Sequence, residues 1–323
     1  MSTEKKFIPA SFFGIVMGLV GLGDCWRAAS KLWGFPEAIG EAVMYLAFIV
    51  WFVLLIAYIA KWILAPEQAK AEWHHLILGK FIGLIAVATL LVVVAIEPHF
   101  PALINPLFIL GTIFQLAYGI HFTTTAWKGG RDPFTISPAI YLPTVAANFV
   151  NAFVAGYINH PTMAIFFIGF GLFSWLSLES VIANRLIIQN ALPEPMRPLM
   201  GILMAPPSVC CLAYVFINGK AGPAPDLAAQ ILLAYSCLIF LNLLRMMPWV
   251  AKQPFNASYW AFSFGLAAIT FDLLFFRIRG AHPIYEWLGK GMFIITNIVL
   301  AILIVKTIQL FLTKRLLPPP LPL

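Results

Sequence analysis

Ten mostly apolar stretches follow one another along this chain with only short polar connectors between them. That succession limits the fold more than any single motif. A helix crossing a bilayer needs about 20 predominantly apolar residues. In lipid every backbone polar group must be satisfied internally, so such runs become helices. They fall roughly at Pro9–Gly23, Ala42–Leu64, Leu78–Ile96, Ala102–Trp127, Pro138–Tyr157, Met163–Ile188, Pro198–Ile217, Leu227–Leu244, Ala257–Phe275 and Trp287–Leu312. The chain is 61% hydrophobic and only 10% charged, whereas soluble domains are about 25% charged. A soluble core does not absorb that excess. The reading is an all-α integral membrane protein, a single transmembrane domain over residues 1–323, because no connector is long enough to separate two domains.

The connectors set an expected orientation. With the N-terminus inside, the inner side holds Lys5, Lys6, Lys61, Lys70, Lys80, Lys128, Arg131, Arg185, Arg197, Arg245, Lys252, Lys306, Lys314 and Arg315. The outer side holds Arg27, Lys31, Lys220, Arg277, Arg279 and Lys290. This basic bias predicts both termini in the cytoplasm. It also explains the formal charge of +7 without a nucleic-acid partner.

A second pattern runs above the single helix. The odd-numbered spans carry the helix breakers: Gly14, Gly18, Gly21 and Gly23 in the first, Gly83 in the third, Pro143 in the fifth, Pro206-Pro207 in the seventh, Gly265 in the ninth. Proline frees a carbonyl and bends a helix. Freed backbone groups at membrane depth are tolerated where they are buried in protein or line a water-filled cavity. The odd spans are therefore expected to form an inner ring and the smoother even spans an outer, lipid-facing one. Five hairpins follow, each pairing a bent inner helix with a straight outer one.

Away from their ends the odd spans, as bounded above, hold no ionisable residue; Lys80 and Asp272 lie towards the ends of the third and ninth. Proton relays keep ionisable groups at membrane depth and cation pores favour acidic rings, so a neutral lining points to a weakly bound anion. Thr89, Thr144, Asn148, Ser208 and Ser263 are the candidate donors, and a net positive mouth would concentrate anions. Glu179 and His121 are the ionisable residues at depth on even spans; Glu179 reads as a structural carboxyl bonded to a neighbouring helix. Cys25, Cys210, Cys211 and Cys237 match no metal motif, His74-His75 has the wrong spacing for one, and no catalytic motif is present. No metal, no cofactor and no enzyme activity are expected.

Four stretches carry a resemblance: Phe13-Gly14-Ile15 with Gly18, Tyr141-Leu142-Pro143-Thr144-Val145-Ala146-Ala147-Asn148-Phe149, Met200-Gly201-Ile202-Leu203-Met204-Ala205-Pro206, and Trp260-Ala261-Phe262-Ser263-Phe264-Gly265. Leu244-Arg245 and Pro248-Trp249 add to it. On these the chain resembles the bacterial TehA family, named for tellurite resistance, whose relatives include the plant slow anion channels and four-carbon dicarboxylate/malate transporters. The resemblance implies ten helices as five hairpins in quasi-five-fold arrangement around a central pore, a homotrimer in the bacterial inner membrane, and small inorganic or organic anions as cargo. It implies that a phenylalanine of the ninth helix occludes the pore. The motif position assigns Phe264 as that gate, with Phe262 as the alternative. Gly14, Gly18, Gly83, Pro143, Thr144, Asn148, Pro206, Ser208, Phe262, Ser263 and Gly265 are the candidate lining. Two departures stand out: Val16 and Ala86 occupy positions where the family has proline. A proton-coupled transporter of dicarboxylates, oxyanions or drugs is the competing function, and a membrane enzyme or a non-transport resistance factor a third.

Overall fold

The computed structural model describes residues 6–130 and 132–319, which are helical with no strand among them. Lys5 and Arg131, both counted on the inner side above, lie outside the described residues. Among the described residues ten helices are long and apolar enough to cross a membrane: span 1 Ala10–Trp33, span 2 Glu37–Leu64, span 3 Leu78–Ile96, span 4 Pro101–Trp127, span 5 Pro138–Tyr157, span 6 Pro161–Ile188, span 7 Glu194–Phe216, span 8 Leu227–Val250, span 9 Ala257–Ile278 and span 10 Ile284–Leu312. A short helix, Pro66–His74, lies between spans 2 and 3. Lys6 Nζ donates to the Leu317 carbonyl at 3.5 Å, so the two ends of the chain meet on one side of the bundle.

The expected two rings are present. In the odd spans 78–100% of the apolar window is buried inside the protein, and in the even spans only 22–33%. Consecutive partners 1–2, 3–4, 5–6, 7–8 and 9–10 pack as hairpins. Each odd span also packs on the next odd span, and span 9 returns to span 1, closing the inner ring. Small residues allow these approaches, as they do wherever membrane helices pack closely. A side chain on Gly111 would meet Leu90 at 2.9 Å, and one on Gly171 would meet the Phe149 ring at 2.6 Å.

The irregular turns stand at the start of each odd span, while Gly18, Gly21, Gly23 and Gly265 themselves lie in regular α-helix. All five open on a 3-10 helix: Ala10–Phe12, Leu78–Ile82, Pro138–Tyr141, Glu194–Met204 and Ala257–Trp260. Span 5 adds a π-helical turn at Leu142–Ala146. The even spans are α-helical throughout. Such tight or wide turns recur where helices carry function. Val16 and Ala86, the two positions without the expected proline, lie in regular α-helix.

Span 1 corrects the sequence reading. It does not end at Gly23 but runs to Trp33, closed by Gly34 at φ 69°, and span 2 begins at Glu37 rather than Ala42. Arg27 stays helical because its charge finds partners across the hairpin, and Asp24 lies 4.0 Å from it on the same helix. Arg27 binds Glu41 through Nε at 2.7 Å and Nη2 at 2.9 Å. It also donates to the carbonyls of Val94 and Ala95 at the end of span 3, at 2.9 and 3.1 Å. A hydropathy window does not register such pairing.

Candidate functional site

Two cavities enter the inner ring from opposite ends; all five odd spans contribute to the first, and spans 1, 5, 7 and 9 with the connector after span 3 to the second. The first, about 250 Å³, opens on the side of the chain termini. Its walls include Gly14 and Met17 of span 1, Leu84 of span 3, Leu142 of span 5, Ile202 of span 7 and Phe264 of span 9. No ionisable side chain lines it among the described residues; Ser11 and Ser258 bring its hydroxyls. The second, about 290 Å³, opens at the other end. Asp24 and Arg27 of span 1, Glu97 beyond span 3, Tyr157 of span 5, Phe216 of span 7 and Phe271 of span 9 meet there.

No described residue lines both cavities. Met17 lines one and Asp24 the other, as do Phe264 and Phe271. Seven residues of α-helix rise about 10 Å and return to nearly the same face, so the septum on spans 1 and 9 is about that thick. Phe264 stands at its inner edge. The Phe264 Cδ2 lies 3.7 Å from where a β-carbon on Gly21 would sit, and the residue is 8% exposed. On the far side the floor is aromatic: the Phe216 and Phe275 rings stack with centroids 4.5 Å apart. Sequence reading missed Phe271 and Phe275. The signal was available, because position 271 repeats the helical face of 264 two turns on.

The second mouth is not net positive, contrary to expectation. Four acids, Asp24, Glu37, Glu41 and Glu97, line it with three bases, Arg27, Lys31 and Lys220. The charges are largely paired: Lys220 lies 2.9 Å from Glu97 and 4.0 Å from the Tyr157 ring centroid, and Glu41 lies 2.7 Å from His99. Nor are the odd spans neutral throughout. Asp24 lies within span 1, and Asp272 of span 9 is fully buried. The Asp272 Oδ2 accepts from Ser208 Oγ at 2.5 Å, while its Oδ1 has no hydrogen-bond partner among the described residues.

The candidate lining residues divide by what they touch. Gly14 and Phe264 line the first cavity. Phe262 lines a different groove, on the membrane side of span 9. Gly18 abuts Ser263, whose hydroxyl donates to the Trp260 carbonyl at 2.7 Å. Gly83 abuts Pro143, Gly265 abuts Met204, and Pro206 is buried in span 7. Asn148 donates to the Thr144 carbonyl and accepts from Gln115 at 2.7 Å. Thr89 Oγ1 donates to the Ile85 carbonyl. Ser208 is held by Asp272. Of the proposed donors, Thr144 alone has a buried hydroxyl without a partner. Glu179 is a structural carboxylate, accepting from Tyr141 at 2.6 Å, Trp175 at 2.8 Å and Tyr235 at 3.3 Å.

Residues 8–308 match the family model described as SLAC1, voltage-dependent anion channel. Among relatives, a tellurite resistance protein TehA homologue of Haemophilus influenzae is 31% identical over 95% of this chain and 92% of its own length. An uncharacterised transporter of Methanocaldococcus jannaschii is 24% identical over 96% of both chains. The guard cell S-type anion channel SLAC1 of Arabidopsis thaliana is 22% identical over 96% of this chain and 57% of its own length.

Proposed function

The chain belongs to the SLAC1 family of voltage-dependent anion channels, and from that premise we propose that it is a passive, gated anion channel of the bacterial inner membrane. One observation carries the reading: two cavities, the first walled by all five odd spans and the second by four of them with the connector after span 3, face one another across a thin septum edged by Phe264. The first cavity is free of ionisable side chains among the described residues, and the charges at the second are largely paired. Neither holds an anion strongly, so the ion leaves as readily as it enters, as conduction requires. The Phe264 ring closes that path by occupying it with apolar atoms. The working unit is a homotrimer with a pore in each subunit, and both termini are cytoplasmic. The relative named for tellurite resistance adds the tellurite oxyanion to the candidate cargoes.

The test is flux in proteoliposomes with chloride, nitrate, malate and tellurite, with and without a proton gradient. A channel moves its anion down the gradient alone, and the proton gradient changes only the driving voltage. The buried Asp272, with an unpartnered oxygen, favours a second reading as a proton-coupled transporter. Under that reading Asp272→Asn abolishes proton-driven uptake; under the channel reading flux persists in the variant. For topology, a reporter fused after residue 319 and one in the connector 218–223 are expected on opposite sides of the membrane, the first in the cytoplasm. Equal signals from both would contradict the ten-span path.

A further inference from the structure

A third cavity, about 470 Å³, lies outside the inner ring, where spans 8 and 10 diverge over span 9. It faces the membrane rather than the path between the two mouths. Span 8 contributes Phe240 and Met247, span 10 contributes Val299 and Ile302, and Phe262 and Leu266 of span 9 lie on its floor. A groove of this size and apolarity is in the range of small-molecule sites, which add a few placed polar groups to an apolar wall. Two such groups lie at its terminal-side end. Gln253 is 8% exposed, and its buried Nε2 has no hydrogen-bond partner among the described residues. Lys306 is exposed on span 10 and makes no ion pair among the described residues. A buried amide donor left unpaired is costly. A lysine about one and a half turns from the end of a membrane helix reaches back to the headgroup level.

We propose that this groove is a binding site for an anionic phospholipid, with an acyl chain along Phe262 and Val299 and the phosphate held by Lys306 and Gln253. The occupant follows from the placement. The groove opens sideways between two lipid-facing helices, so hydrocarbon is what reaches it. The two unpaired donors stand at one end, as a single acidic headgroup requires, and their side of the bundle also carries Arg245 and Lys252, both exposed.

Native mass spectrometry of the full chain, released from membranes containing phosphatidylglycerol and phosphatidylcholine, reads the site directly and independently of transport. Wild type is expected to retain phosphatidylglycerol preferentially, one per protomer. Lys306→Gln should lose about fivefold of that preference, and Lys306→Arg should keep it. Val299→Trp, which fills the groove, should lose retention of both lipids while the assembly stays folded. Excess inorganic phosphate should not displace the lipid, because the acyl chain supplies most of the hold. Equal retention by wild type and Val299→Trp would overturn the site. So would displacement by phosphate or by free fatty acid alone. Dissociation of the assembly by Val299→Trp would assign the groove to a second copy of the chain instead.

Discussion

Phe264→Ala is expected to conduct anions far above the wild-type chain, while expression and assembly stay near normal. The ring lines the inner cavity at the edge of the septum, against Gly21 of span 1. Burying a phenylalanine side chain contributes about 1.5–3 kcal/mol. If that contact is what holds the path shut, its loss shifts the open population roughly ten- to 150-fold. The mechanism is wetting. An apolar constriction excludes an anion because it strips the hydration shell and offers nothing in return; alanine leaves room for water. The control is on the same helix. Phe262 is two residues, about 200°, away and lines the membrane-side groove with Leu266. Phe262→Ala enlarges that groove and costs stability without joining the cavities. Current or flux of both variants in one membrane decides it. A Phe264→Ala variant as closed as wild type removes the gate assignment, and opening by Phe262→Ala would mean that the other helix face carries the path.

The largest stability effect is expected at Glu72, which no transport argument singles out. It lies on the short helix Pro66–His74 and is 1% exposed. One carboxylate oxygen is 2.5 Å from Lys61 Nζ of span 2, and the other accepts the Ala10 backbone N–H at 2.8 Å, where span 1 begins. A single buried side chain thus fastens the start of span 1 to the end of span 2. Breaking a buried pair from one side leaves an uncompensated charge and costs about 3–5 kcal/mol. Glu72→Gln should therefore lower the thermal midpoint in detergent markedly. Replacing both partners, as in Lys61→Met with Glu72→Leu, should recover most of the loss. It should not recover all of it, because the Ala10 N–H stays unpaired at about 1–3 kcal/mol. A single variant as stable as wild type would show that water reaches Lys61.

Much of this architecture was legible from local properties of the sequence. Ten apolar runs specify ten helices because lipid leaves the backbone no alternative. The placement of Gly83, Pro143 and Pro206 on odd spans marked the inner ring, since irregular backbone turns survive only inside protein. The motif around Trp260–Gly265 pointed to the family. What the tertiary structure decided depends on partners far apart in the chain. Helical spacing alone separates Phe262 from Phe264 by face, but only packing says which face meets a cavity and which meets lipid. Span 1 outran its apolar stretch because Arg27 is satisfied by Glu41 and by carbonyls some seventy residues away. Ser208 reads as a free hydroxyl in its own helix, and it is Asp272, 64 residues on, that takes it. The mouth that net charge made basic is balanced because Glu97 and Lys220 arrive there from different connectors. Hydropathy and helix breaking act within a few residues and are written along the chain. Ion pairing and side-chain burial act through space, and only the folded bundle brings their partners together.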